Sequence, residues 1–98
     1  MSTEQTAQGA TLSAESVKQE LLGFLETKTK TALTPDQDMF ASGLVSSMFA
    51  MELVVHLEQT YQVAVVGADL KLENFRTVQR MTELVLRLRA ASAAAGHA

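Results

Sequence analysis

Phe40-Ala41-Ser42-Gly43-Leu44-Val45-Ser46-Ser47-Met48-Phe49-Ala50-Met51-Glu52-Leu53 is a glycine-containing apolar loop, two serines, and then an unbroken helical pattern. A serine at the entry to a helix ordinarily serves as its cap, its oxygen accepting a hydrogen bond from a backbone N–H that has no partner within the helix. Here methionine and phenylalanine follow in the first turn. The pattern places a hydroxyl at an exposed corner among apolar side chains, which suits a point of covalent attachment.

Downstream, Ala50, Leu53, Val54, Leu57 and Tyr61 continue one broad apolar face at steps of three and four, predicting a helix from Ser46 or Ser47 to about Tyr61. Met48, Met51 and Val55 add a second stripe beside it. A helix that is apolar over so much of its circumference is either central in the core or uses one stripe for partners. With the first stripe available to the core, Met48 and Met51 fall to recognition, and methionine adapts well to a succession of partners.

Upstream, Ser13 caps a first helix over about 13–29, with Glu15 at the positive end of its dipole and Val17, Leu21, Phe24 and Leu25 on one face. Lys18, Glu20 and Lys28 lie off that face. The connection from Lys30 to Val45 is long, punctuated by Pro35 and Gly43, and pinned to the core by Met39, Phe40, Leu44 and Val45. Beyond the second helix, Val63 to Val66 reads as an extended buried linker, since a four-residue strand has no partner here. Asp69 to Phe75 reads as a short third helix. Thr77 then caps a last helix with Val78, Met81, Leu84, Val85 and Leu88 on its face, fading into an alanine-rich end. The expected architecture is all-α: a four-helix bundle of three main helices and one short one, with a long first loop. The domain boundaries are 13–90, between disordered tails at 1–12 and 91–98.

Composition agrees. With 98 residues the chain forms one domain, and 47% hydrophobic residues are enough for a single core. One proline and five glycines suit helices better than a sandwich of strands and turns. The absence of cysteine excludes disulfides and thiolate metal sites. No secretory signal and no apolar run of membrane-spanning length is present, so a cytoplasmic protein is expected. Charge is unevenly placed: residues 36–75 carry −5 and residues 76–98 carry +3. An acidic middle repels nucleic acid and favours basic protein surfaces, with Glu52 and Glu58 on the second helix affecting encounter rate.

No catalytic set is apparent. His56 is the only histidine within the domain; it has no nucleophile and orienting group beside it, and is read as facing solvent or a partner. Scattered carboxylates do not form a closed metal site, so no metal is expected.

From Val17 to Leu88 the chain resembles the acyl carrier protein family. In that register Ser47 matches the modified serine, Met48 stands where the family usually has leucine, and Phe40 matches the phenylalanine seven positions upstream. Glu52-Leu53, Glu73-Asn74-Phe75 and Thr77-Val78 match at consistent spacing. The resemblance implies a carrier rather than an enzyme, with 4′-phosphopantetheine from coenzyme A attached at Ser47. It also implies as partners a phosphopantetheinyl transferase, an acyl-loading enzyme, and a downstream ketosynthase or acyltransferase. Ser46, Met48, Met51, Glu52 and Val55 become the partner-recognition residues, on a monomer that binds neither membrane nor nucleic acid. Ser46 replaces the family's aspartate, keeping a cap but losing a charge, and leaves Ser46 as an alternative acceptor. The runs Gly43–Val54 and Leu72–Val78 look closest to stand-alone carriers of unusual polyketide extender units, glyceryl or alkoxymalonyl, as in antibiotic biosynthesis. D-alanyl carriers share the Gly-Leu-x-x-Ser-Met outline, so an aminoacyl carrier is one alternative and an unmodified helical adaptor the other.

Overall fold

Ser13 closes the start of α1 (Ala14–Thr29) with a reciprocal pair: its Oγ accepts from the Ser16 amide at 3.0 Å while Ser16 Oγ accepts from the Ser13 amide at 3.2 Å. Val17, Leu21 and Leu25 bury one face of this helix completely. The computed structural model describes residues 13–96, so the tail expected at 1–12 lies outside the described residues.

The other principal helices are α2 (Ser47–Tyr61) and α3 (Val78–Gly96). Among the described residues there is no strand. α1 packs most extensively on α3, and α2 meets both α3 and the turn at 72–75. Thr77 Oγ1 caps α3 by accepting from the Arg80 amide at 2.9 Å. α3 continues through Gly96, so residues 91–96, expected in a tail, are helical. Alanine has the highest intrinsic helix propensity, and this segment is rich in it.

The short third helix is not an α-helix. Two 3₁₀ turns, Gly67–Asp69 and Leu72–Phe75, stand in its place, separated by extended backbone at Lys71 (φ −142°, ψ 149°). A first α-turn costs more conformational entropy than one hydrogen bond returns, and so short a segment has no length over which to recover it. Phe75 anchors the second turn in the core. The expected four-helix bundle is therefore three helices and two single turns.

α1 and α2 end with the same device. Lys30 and Gln62 both take left-handed backbone, φ 58° and 57°. Three residues further on, an amide returns to a glutamate on the helix just left: Leu33 N–H to Glu26 Oε2, and Val65 N–H to Glu58 Oε2, each at 2.9 Å. Glu58 thus holds the chain after α2 in place rather than standing free. Val63 and Val65 point inward while Ala64 and Val66 face out, so the linker alternates instead of being buried throughout.

The long loop is fastened across the start of α3, where backbone amides lack helical partners. Pro35 O accepts from Gln79 N–H, and Met39 N–H donates to Arg76 O, both at 2.8 Å. Leu33, Met39 and Val45 are buried, while Phe40 and Leu44 pack partly buried against the core. Gly43 turns the chain toward α2 at φ +80°, and a Cβ there would meet nothing, so backbone conformation rather than space selects glycine.

Candidate functional site

The two serines at the entry to α2 have different roles. Ser46 is the N-cap: its backbone is extended (φ −96°, ψ 168°) and its Oγ accepts from the Phe49 amide at 3.1 Å. Ser47 is the first helical residue, exposed, and its Oγ has no hydrogen-bond partner among the described residues. The first turn of α2 contains no acidic side chain, so its unpaired amides present positive potential to whatever Ser47 carries.

Two grooves border α2. The smaller, about 120 Å³, is lined from α2 by Ser47, Ala50, Met51 and Val54, and from the facing segment by Leu70, Lys71, Leu72 and Phe75. The larger, about 460 Å³, lies between α1 and α2 and is lined by Phe24, Met51, Glu52, Val55, His56 and Gln59. Met51 lines both grooves. Of the residues expected to meet partners, Met48 is 80% exposed, Met51 56% and Val55 49%. Glu52 is exposed, and no ion pair engages it among the described residues. Met48 lines neither groove, standing apart from Met51, Glu52 and Val55.

His56 departs from its expected outward role. Its ring stacks on Phe24, centroids 3.8 Å apart and 14° from parallel, and its Nε2 lies 2.9 Å from Glu20 Oε2. The Tyr61 hydroxyl donates to the same carboxylate, at Oε1. Glu20, read as an off-face charge on α1, is the acceptor that ties α1 to the second half of α2.

The unequal charge blocks largely pair with each other. Asp38 meets Arg76 at 3.1 Å, Asp69 meets Arg87 at 2.9 Å, and Glu73 meets Arg76 and Arg80 at 3.0 and 3.4 Å. Asp38 also accepts from the Phe40 and Ala41 amides. The Ala41 N–H, with the Arg76 guanidinium, holds its carboxyl below the usual carboxylate range. What faces outward near Ser47 is thus Glu52 and Lys71 rather than a broad acidic field. No group of three or more metal-ligating side chains is found among the described residues, and none of their helices is long and apolar enough to cross a membrane.

Residues 15–85 match the family model described as the phosphopantetheine attachment site. The chain belongs to this family. Carrier domains of the family bear a 4′-phosphopantetheine group and are acyl carriers, not catalysts, so this protein is a carrier and not an enzyme. Such carriers interact with a phosphopantetheinyl transferase and with acylating enzymes. No curated protein matches the chain. Leu70, Lys71 and Leu72, which face Ser47 across the smaller groove, escaped the sequence reading, because only the break between the 3₁₀ turns brings them there.

Proposed function

We propose that this carrier is modified on Ser47 and holds a small oxygenated unit of the glyceryl or alkoxymalonyl type for polyketide assembly. The observation that carries the assignment is the division of labour at the α2 entry: Ser46 Oγ is engaged as the cap and Ser47 Oγ is exposed and unengaged. The residues present fit the group, since a phosphate ester at a helix N-terminus is favoured by free amides and the dipole, and no carboxylate opposes it in that turn. Ser47 Oγ would form the new P–O bond while its proton passes to a base on the transferase and the diphosphate of coenzyme A breaks. Once in place, the group supplies a thiol on which the acyl unit is held as a thioester.

Ser46, Met48, Met51, Glu52 and Val55 form the face that partners read in this proposal. Exposed methionine and valine beside an unpaired acid suit repeated, reversible encounters with an acyl-loading enzyme and then a ketosynthase or acyltransferase. The cargo reading rests on the resemblance of the 43–54 and 72–78 runs to extender-unit carriers.

Incubation with coenzyme A, Mg²⁺ and a broad-specificity transferase, followed by peptide mapping, tests the site. Ser47→Ala abolishes labelling. Ser46→Ala still labels, while losing a cap contribution of about 1 kcal/mol. Labelling that follows Ser46 instead reverses the assignment. The intact mass of the protein from its producing cells tests the cargo. A glyceryl, hydroxymalonyl or methoxymalonyl mass supports the proposal; an aminoacyl or long fatty acyl mass moves the protein to another branch, and an unmodified mass makes it an adaptor.

A further inference from the structure

The smaller groove combines three features: its wall is almost entirely carbon, Ser47 stands at its edge, and its one charged lining residue is Lys71. Lys71 precedes the second 3₁₀ turn in extended backbone and is held there by its carbonyl, which accepts from the Asn74 amide at 3.1 Å. Its side chain is exposed and enters no ion pair among the described residues. The neighbouring acids are already engaged, Asp69 by Arg87 and Glu73 by Arg76 and Arg80. A lysine stem commonly covers apolar surface while its ammonium stays in water, which leaves the positive charge at the rim of this groove.

We infer that this groove seats the near end of the prosthetic arm, with Lys71 as the partner of its phosphodiester and the branched carbons of the pantoyl unit against Ala50, Val54 and Phe75. The inference rests on the assignment of Ser47 as the attachment point. Size favours this occupant over the cargo. An apolar cavity of 150 Å³ holds one benzene molecule, so 120 Å³ suits about five carbons and rejects a long alkyl chain. Position favours it as well: a groove whose edge is Ser47 itself meets first the atoms attached next to Ser47. Charge is the third argument. The family's aspartate before the modified serine is Ser46 here, so no carboxylate at that position competes for the ammonium or repels the phosphate. The arm therefore leaves Ser47 along the 70–75 segment instead of extending straight into solvent.

Backbone amide and phosphorus NMR of the apo and modified protein test this. Modification of the wild type should shift the amides of Val54, Leu70, Lys71 and Leu72 as well as those around Ser47. Lys71→Ala should erase the shifts at 70–72 and move the phosphorus resonance toward that of free phosphopantetheine, whereas Lys71→Arg should retain both wild-type signatures. Added salt should act like Lys71→Ala, because the pair is exposed and screened. Shifts confined to residues 46–49, or phosphorus and 70–72 signals indifferent to Lys71→Ala, overturn the inference while leaving the Ser47 assignment intact. Intact mass separates the two: absence of the arm from Ser47 overturns both.

Discussion

The Tyr61 hydroxyl, at the end of α2, donates a hydrogen bond to the Glu20 carboxylate of α1. Burial, and then the adjacent carboxylate, raise the hydroxyl above its ordinary ionisation range. Because the folded value exceeds the unfolded one, the stability this contributes is complete below about pH 10 and is lost as pH rises beyond it. Tyr61 is the only tyrosine and the chain has no tryptophan, so the tyrosinate absorbance reports this group alone. Tyrosinate should therefore appear only as the fold melts in alkali. Appearance at the pH of a free tyrosine, in a protein whose helical circular dichroism is intact, would break the link.

Acid should act at the opposite end of the molecule. Asp38, held low chiefly by the Ala41 amide and also by Arg76, contributes stability present above the ordinary carboxylate pKa of about 4 and lost as pH falls through its lower folded value. Asp38→Asn should flatten the acid limb of a stability–pH curve and free the 38–42 turn. A variant whose acid limb overlays that of the wild type would remove Asp38 from the account.

Thr82 is 1% exposed and its Oγ1 has no hydrogen-bond partner. A buried hydroxyl left unpaired costs about 1–3 kcal/mol. Thr82→Val keeps the branched shape and should raise the melting temperature by roughly 4–8 °C for each kcal/mol recovered in a domain of this size. A fall in melting temperature would show that the hydroxyl is satisfied in solution.

Met51 tests the recognition face. At 56% exposure its truncation removes little core, so Met51→Ala should leave the melting temperature within a few degrees of the wild type and slow acyl loading. A loss of about 2 kcal/mol or more in stability would instead make Met51 a core residue.

The helices with regular apolar spacing were legible because local periodicity and capping chemistry agree there. Ser13, Thr77, the buried face of α1 and the extent of α2 all follow from neighbours within one turn. The roles of Ser46 and Ser47 were not separable from spacing alone, since both precede the same apolar pattern, and backbone geometry divides them. His56 was misread because Phe24 and Glu20, which receive it, are more than thirty residues away and give no local signal. The charge blocks misled for the same reason: Asp38 and Arg76 meet only after folding. Two signals were present and passed over. Residues 26–33 and 58–65 repeat one spacing, glutamate followed seven residues later by an aliphatic residue, and Thr82 falls on the face set by Val78, Met81 and Val85.

The fastenings of α2 are distributed along its length in a way that has mechanical meaning. His56 and Tyr61 hold to Glu20, Glu58 grips the Val65 amide, and Arg89 Nη1 reaches the Tyr61 carbonyl at 3.2 Å, so every one of these polar ties lies in the second half of the helix. The Ser47 end has its own cap and apolar contacts, but no comparable strut to α1 or α3. α2 is thus clamped at its base like a cantilever, and its compliance grows toward the tip that presents Ser47. Whatever is fixed there rides on the most yielding point of the helix while the far end keeps its registration with the core.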